Sequence, residues 1–227
     1  MQIKTLRGMS GVISARLSNP PERARNQLQA RQNMNLIRSI CVYCGSADGR
    51  DPRHLAAARD LGQAMAAAGI GLVYGGGNSG LMGEVARAVL ASGGHVTGVI
   101  PEFLQIRELM LEGAQSMTVV PDMHTRKQMM FDRADAFVAL PGGIGTLEEL
   151  FEQMTWGQLG RHHKPVLVAD IGGYWQPLLA LLAHVQTEGF VRASLRPHFI
   201  VADSVDQIIP MLQAASSLLN DKLRDRA

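Results

Sequence analysis

The sequence predicts an α/β fold: a Rossmann-like, doubly wound parallel sheet with helices on both faces, formed as a single domain by residues 35–227. Two patterns predict it. Short apolar runs alternate with helical segments from about residue 36 onward, which is typical of βαβ units with right-handed crossovers. The runs are continuously apolar, as expected for strands that helices cover on both faces. With 46% hydrophobic residues, the 227-residue chain can bury a sizeable core.

The first half of this region contains three predicted strands and two predicted helices. The strand Leu36–Tyr43 carries β-branched residues and ends at a Cys-Gly-Ser turn, and the Ala-rich helix Pro52–Ala68 ends at a glycine. The short strand Gly71–Tyr74 runs into three glycines. The helix Leu81–Ala91 ends at a glycine pair, and the strand His95–Ile100 ends at a proline.

The second half repeats this alternation. A helical stretch opens at Met123, after Pro121-Asp122. The later elements, in chain order, are the strand Ala136–Leu140, the helix Thr146–Leu159, the strand Pro165–Ala169, the helix Trp175–Gln186, a short strand Phe199–Val201 and a terminal helix from about Ser204.

Residues 1–34 are predicted to form a basic, flexible N-terminal extension. The first 38 residues hold seven basic residues and one acid, Glu22, so the remaining chain is mildly acidic. A folded domain without a basic face argues against nucleic-acid binding. The extension lacks the apolar segment of a secretory signal, although its Arg content loosely resembles a mitochondrial transit peptide. No apolar stretch approaches the roughly 20 residues that span a bilayer, so we expect no membrane partner.

The two cysteines and the histidines give no sign of a metal or redox site. Two cysteines cannot form a disulfide framework, which favours a reducing compartment and hence a cytoplasmic location. Cys41 and Cys44 are three apart on a strand and point to opposite faces, so we predict two core thiols. His162 and His163 are adjacent and have no partner at ligand spacing. We therefore expect no metal and no cofactor.

The glycine-rich loop Gly75–Gly83 follows a predicted strand and contains the G-x-G-x-x-G pattern, with Glu102 22 residues after Gly80. This spacing is compatible with a dinucleotide site. The loop follows the second strand, however, and Glu102 comes after a proline. Tight packing of a helix on the sheet, or another phosphate-bearing ligand, are the alternatives.

Residues 141–146, Pro-Gly-Gly-Ile-Gly-Thr, give the sharper signal. Glycines at the end of a strand allow close backbone approach, and the following helix adds the positive end of its dipole, so the loop is suited to an anion. No G-K-[ST] follows, which makes a monophosphate a natural guest. In the helix, Leu147, Leu150, Phe151 and Met154 are predicted as the buried stripe, with Glu149, Glu152 and Trp156 opposite.

Taken together, these motifs resemble the LOG family, the cytokinin riboside 5′-monophosphate phosphoribohydrolases. PGGIGTLEE at 141–149 matches the family's PGGxGTxxE signature, and YGGGNSGLMG at 74–83 matches its other glycine loop. CVYCGS at 41–46, PDMHTRK at 121–127 and TWGQLGRHHKPV at 155–166 are also similar. The resemblance covers about residues 37–215. Ile144 replaces a frequent tyrosine of the signature.

The resemblance implies a hydrolase that cleaves the N-glycosidic bond of an adenosine 5′-monophosphate, N6-modified or plain, and releases free base and ribose 5-phosphate. It implies Arg126 and Glu149 as the catalytic pair. The substrate contacts it implies are Glu108, Lys127, Gly142, Gly143, Ile144, Gly145, Thr146, Leu147, Glu148, Thr155, Gly76 and Gly77.

Three other interpretations stay open on the sequence. The chain could be a general purine or pyrimidine monophosphate nucleosidase, a non-catalytic carrier of a nucleotide or of the molybdenum cofactor on a related fold, or a dinucleotide enzyme. The resemblance further implies a homodimer.

Overall fold

The computed structural model describes residues 37–105, 111, 113–191 and 199–224. The described residues all belong to one compact unit, Asn35–Ala227. The predicted extension over residues 1–34 and the predicted contact Glu108 lie outside the described residues.

Seven strands and seven α-helices are present in this part of the chain. The strands are β1 (Ser39–Tyr43), β2 (Gly71–Tyr74), β3 (Val96–Pro101), β4 (Ser116–Val120), β5 (Ala136–Ala139), β6 (Val166–Ala169) and β7 (Ile200–Ala202). The helices are α1 (Pro52–Ala67), α2 (Gly80–Ala91), α3 (Glu102–Gln105), α4 (Met123–Asp132), α5 (Ile144–Gln158), α6 (Gln176–Thr187) and α7 (Val205–Arg224), with a 3₁₀ turn at Ile171–Gly173.

The strands form one parallel sheet in the order β4-β3-β2-β1-β5-β6-β7. The chain winds outward from β1 in one direction as far as β4, returns to the centre at β5, and then winds in the other direction. This confirms the predicted doubly wound α/β fold. Neighbouring strands β1 and β5 form the topological switch point, and crevices for ligands lie at the carboxyl ends of such strands.

Helices cover both faces of the sheet, and each face has its own apolar core. One core joins α1, α2 and α7 through buried side chains such as Leu61, Val85 and Ile208. The other joins α4, α5 and α6 through Met130, Leu150 and Leu178. The strands between them are continuously buried, as the apolar runs predicted.

Alternate residues of β1 enter opposite cores. Cys41 packs with the core of α4, α5 and α6, and Cys44, just after the strand, packs with the other. Both thiols are free and buried. The prediction of two core thiols is therefore confirmed. Burial raises the pKa of each thiol well above its ordinary value, so both are held as neutral thiols near pH 7.

The strand β4 was not predicted from the sequence. It lies at the edge of the sheet, pairs with β3 alone, and is only partly buried. Its first residues, Ser116-Met117-Thr118, therefore lack the continuous apolar character that identifies the central strands. Within the described part of the chain, no helix is long and apolar enough to cross a membrane.

Candidate active site

Three loops meet at the carboxyl ends of β2, β1 and β5. The N–H of Gly45 donates to the carbonyl of Pro141 at 3.0 Å, and the N–H of Met82 donates to the carbonyl of Gly45 at 3.2 Å. Gly80, with φ +59°, lies so close that a Cβ there would be 2.3 Å from the backbone of Ser46 and Ala47. The loops predicted from three separate glycine motifs thus form one surface at the switch point.

Gly142 is required at the centre of this surface. A Cβ at this position would lie 2.1 Å from Thr146 Oγ1 and 2.8 Å from the N–H nitrogen of Gly45. The Tyr174 hydroxyl, from the segment between β6 and α6, donates to the Gly142 carbonyl at 2.6 Å. Gly142 is therefore held by packing on one side and by a hydrogen bond on the other.

The first turn of α5 opens directly to solvent beside Gly142. Gly143 is its N-cap and supplies no side-chain hydrogen bond. A Cβ at Gly143 or Gly145 would meet no described atom within 4 Å, and Ile144 is 82% exposed. The first N–H groups of a helix have no partner within the helix, and its dipole attracts negative charge. This turn can therefore receive an anion such as a phosphate group.

A cleft of about 270 Å³ lies next to this turn. Its walls come from the loop after β1, the Pro141–Gly143 loop, and the ring of Tyr174, which packs edge-on against His54. Ser46 and Asp48 contribute polar side chains to the same cleft. The cleft places polar groups within reach of any ligand anchored at the start of α5.

Arg126 projects from α4 beneath the carboxyl ends of β2 and β3. Asp122 caps α4 by accepting a hydrogen bond from the N–H of Thr125 at 2.8 Å, which places Arg126 in the first turn. Its guanidinium donates from Nε to the carbonyl of Val99 at 3.2 Å and from Nη2 to the carbonyl of Gly75 at 3.3 Å. The residue is buried, with 7% exposed. Two backbone carbonyls thus fix the direction of this guanidinium.

Glu149 reaches the same place from α5. Its Oε1 lies 3.8 Å from Nη1 of Arg126, and the residue is 9% exposed. Burial raises the pKa of Glu149 from 4.5 to about 7, although the positive charge of Arg126 opposes this rise. The carboxyl group can therefore exchange a proton near neutral pH, as a general acid or base must.

Lys127 follows Arg126 on α4 and pairs with two other carboxylates of α5. Its ammonium group donates to Glu148, and to Glu152 at 2.9 Å. Burial alone would lower the pKa of Lys127, but these two hydrogen bonds outweigh it, so the pKa is raised. Lys127 is therefore fully charged and connects α4 to α5.

The structure brings most of the predicted site residues to the carboxyl ends of the central strands. Arg126, Glu149, Lys127, Thr146 and the Gly142–Gly145 loop lie within adjoining turns of α4 and α5. The other predicted contacts differ in exposure: Thr155 is exposed on a later turn of α5, Leu147 is half-buried, and Glu148 is half-exposed beside Lys127. Gly76 and Gly77 are buried within the loop after β2.

The prediction of which residues form the buried stripe of α5 is wrong in part. Phe151 is exposed, whereas Glu149 and Gln153 are buried with Leu150 and Met154. The face that turns toward the sheet is thus rotated, because its first turn closes over the polar switch point instead of the apolar core. Sequence reasoning also missed Tyr174 and the carbonyl of Val99, since neither belongs to a glycine motif or carries a charge. In the described part of the chain, no three His, Cys, Asp or Glu residues group as metal ligands would.

Comparison with known proteins gives consistent matches. A family model described as "Possible lysine decarboxylase" matches residues 82–212. A probable cytokinin riboside 5′-monophosphate phosphoribohydrolase, LOG4 of Oryza sativa subsp. japonica, is 46% identical over 181 residues, which cover 80% of this chain and 79% of the relative. Cytokinin riboside 5′-monophosphate phosphoribohydrolase LOG3 of Arabidopsis thaliana is 45% identical over 177 residues, covering 78% and 82%.

Among solved structures, the molybdenum cofactor binding protein of Rippkaea orientalis matches with a TM-score of 0.60 and 22% identity, covering 79% of this chain and 97% of that one. The Moco carrier protein of Chlamydomonas reinhardtii gives 0.60 and 22%, covering 79% and 98%. At this identity the likeness shows a shared fold. The sequence matches go further: this chain belongs to the LOG family, to which the lysine decarboxylase description is attached.

Proposed function

We propose that this protein is a phosphoribohydrolase that cleaves the N-glycosidic bond of cytokinin riboside 5′-monophosphates and releases the free base and ribose 5-phosphate. The observation that carries the proposal is the placement of Glu149. Its buried carboxyl group, with a pKa near 7, faces Arg126 about one helical turn beyond the N–H groups that can receive a phosphate. Relatives about 45% identical over most of their length are named for the same reaction.

We assign a task to each group. The start of α5, with the hydroxyl of Thr146, holds the 5′-phosphate, so that C1′ of the ribose lies toward Glu149. As the bond from C1′ to the base breaks, its electron pair leaves with the base, which takes up a proton from the solvent, and positive charge develops on the ribose. The ionised Glu149 stabilises this charge and accepts a proton from the water whose oxygen bonds to C1′.

Arg126 has a different task. Because its guanidinium is fixed by two backbone carbonyls, it can direct Nη1 toward Glu149 or the substrate without moving. It opposes the rise in the pKa of Glu149, and so keeps part of the carboxyl group ionised at neutral pH. None of these steps uses a metal or a cofactor.

We further propose that AMP is accepted as well, that the protein acts as a homodimer, and that it works in the cytoplasm. The partly exposed groove between α4 and α5, with Trp156 and Arg161 stacked at 3.9 Å, supports a protein contact on this face. The two free buried thiols are compatible with a reducing compartment. Light scattering of the purified full chain tests the dimer.

A product assay tests the reaction. The purified protein is incubated with isopentenyladenosine 5′-monophosphate, AMP, pyrimidine 5′-monophosphates and the corresponding nucleosides, and released base is measured by chromatography. We expect base from the adenosine monophosphates and almost none from the nucleosides. Equal release from all monophosphates would support a general nucleosidase. Nucleotide binding without base release would refute the hydrolase proposal and favour a carrier.

A further inference from the structure

We propose that Lys127 is a positioning residue: it holds Glu148 and Glu152 of α5 against α4, and thereby fixes Glu149 opposite Arg126. This inference rests on the proposed function. It gives Lys127 a task other than the substrate contact that the family resemblance implies.

Lys127 contacts two carboxylates of α5. Its side chain is 9% exposed, and its ammonium group donates to Glu148, and to Glu152 at 2.9 Å. These two glutamates are four residues apart, on successive turns of α5, and Glu149 lies between them. The single cation therefore clamps the stretch of helix that carries Glu149.

Arg126 and Glu149 lie beside these contacts, but no short hydrogen bond joins them. Arg126 and Lys127 are adjacent on α4, yet Arg126 donates its hydrogen bonds to the carbonyls of Val99 and Gly75. Its nearest approach to Glu149, 3.8 Å, is too long for a strong hydrogen bond. The distance between Arg126 and Glu149 is therefore set by how α5 is attached to α4, and at this end of the two helices Lys127 adds its ion pairs to the apolar core that joins them.

The charges that act on Glu149 also depend on Lys127. Glu148 and Glu152 each raise the pKa of Glu149, and Lys127 lowers it. One oxygen of Glu152 is buried without a hydrogen-bond partner in the described structure, so Lys127 is the cation that compensates this carboxylate. Without Lys127, Glu148 and Glu152 would remain beside Glu149 without the ion pair that the described residues give them.

The titratable groups that face Glu149 come from three elements. They are Arg126 and Lys127 on α4, Glu148 and Glu152 on α5, and Cys41, Tyr43 and Cys44 at β1. The thiols and the phenol have pKa values raised far above 7, so they stay neutral while Glu149 titrates. The surrounding charge that changes in the variants below is therefore that of Lys127, Glu148 and Glu152.

Opposite charge changes test this arrangement. In the full chain, Lys127→Met should raise the pKa of Glu149 by about half a unit or more, and Glu148→Gln/Glu152→Gln should lower it. Combining all three substitutions should bring the pKa back toward the wild-type value. Lys127→Arg, which keeps the charge, should stay near wild type.

Two readouts are measured on each variant. Carbon-13 NMR of glutamate-labelled protein gives the pKa of Glu149 directly, with the resonance assigned by its loss in Glu149→Gln. The pH profile of kcat/KM for AMP gives the acid limb of activity. If the wild type releases no base, the proposed function fails, while the NMR titration still decides whether Lys127 acts on Glu149.

Two results would overturn the proposal. An unchanged pKa of Glu149 in Lys127→Met, together with a tenfold or larger rise in KM for AMP, would make Lys127 a substrate ligand. Should Lys127→Met fail to fold, Glu148→Gln/Glu152→Gln decides: a pKa of Glu149 that does not fall in this variant contradicts the arrangement.

Discussion

The guanidinium of Arg126 lies 3.8 Å from the carboxylate of Glu149, and it is held there by two backbone carbonyls instead of by that carboxylate. The position of Arg126 is therefore independent of whether Glu149 carries a proton. Such a site can pass through both protonation states of its acid without rearranging, which is the preorganisation that catalysis requires.

Gly75→Ala should displace Arg126. A Cβ at Gly75 would lie 2.0 Å from Nη2 of Arg126, and the guanidinium is too firmly held by Val99 and Gly75 to move aside freely. We expect kcat to fall by about 10²-fold, because a displacement of an ångström at a reacting group has effects of this order. Steady-state kinetics with AMP measures it.

Gly71→Ala is the matched control for this variant. Gly71 begins β2, the strand that ends just before Gly75, its φ is not positive, and a Cβ there would meet its nearest described atom at 3.6 Å, an ordinary contact. We expect nearly wild-type kcat from Gly71→Ala. Equal losses in the two variants would show that the effect comes from β2 and not from Arg126.

Glu149→Gln should stabilise the protein at neutral and alkaline pH. The pKa of Glu149 is raised from 4.5 to about 7 on folding, so the folded state holds this proton more tightly than the unfolded state does. Its contribution to stability is fully present below pH 4.5 and is lost as the pH rises through 7. The loss amounts to about 3 kcal/mol. Glutamine removes this loss.

Thermal melts between pH 4 and pH 8 measure this effect. The gain in Tm of Glu149→Gln over wild type should be near zero at pH 4 and should grow until about pH 7. Glu102→Gln is the control, since Glu102 is an exposed glutamate on a different helix, α3. A gain that does not depend on pH would contradict the raised pKa of Glu149.

Tyr174→Phe should weaken the binding of the 5′-phosphate. The hydroxyl of Tyr174 donates to the Gly142 carbonyl at 2.6 Å and so orients the loop before α5. Loss of this hydrogen bond should raise KM for AMP about three- to tenfold. Because phosphate binding is shared by the ground and transition states, kcat should stay nearly constant. A fall in kcat at unchanged KM would show that Tyr174 acts on the chemical step.

A chain that begins at Met34 should keep most of the activity. Residues 1–33 have a charge balance unlike that of the rest, and the described sheet begins only at Ser39. Base release by the shortened protein, compared with the full chain, measures this. Lost activity with an unchanged thermal melt would assign the extension a part in the site.

The central strands and the glycine loops could be predicted because each follows from local physics. Strands covered on both faces must be apolar throughout, as β5 and β6 are, and a turn as crowded as Gly142 admits no side chain. The edge strand β4 was not predicted because one partner and partial burial leave little constraint on its residues.

The orientation of α5 depends on the fold and not on its own sequence. Its apolar residues alone predicted that Phe151 would be buried and Glu149 would lie opposite, whereas Glu149 is turned toward Arg126. Only the meeting of β1, β2 and β5 creates the polar space that Glu149 enters. The contribution of Tyr174 likewise depends on a contact between residues 32 positions apart.

The most direct test of the whole account compares Glu149→Gln with Glu148→Gln in base release from AMP. The two glutamates are neighbours on one helix, but only Glu149 is buried opposite Arg126. The account predicts that Glu149→Gln lowers kcat by about 10²- to 10⁴-fold, the usual scale for a positioned acid or base, and that Glu148→Gln lowers it less than about tenfold. Normal turnover by Glu149→Gln, with Glu148→Gln inactive or not, would contradict it.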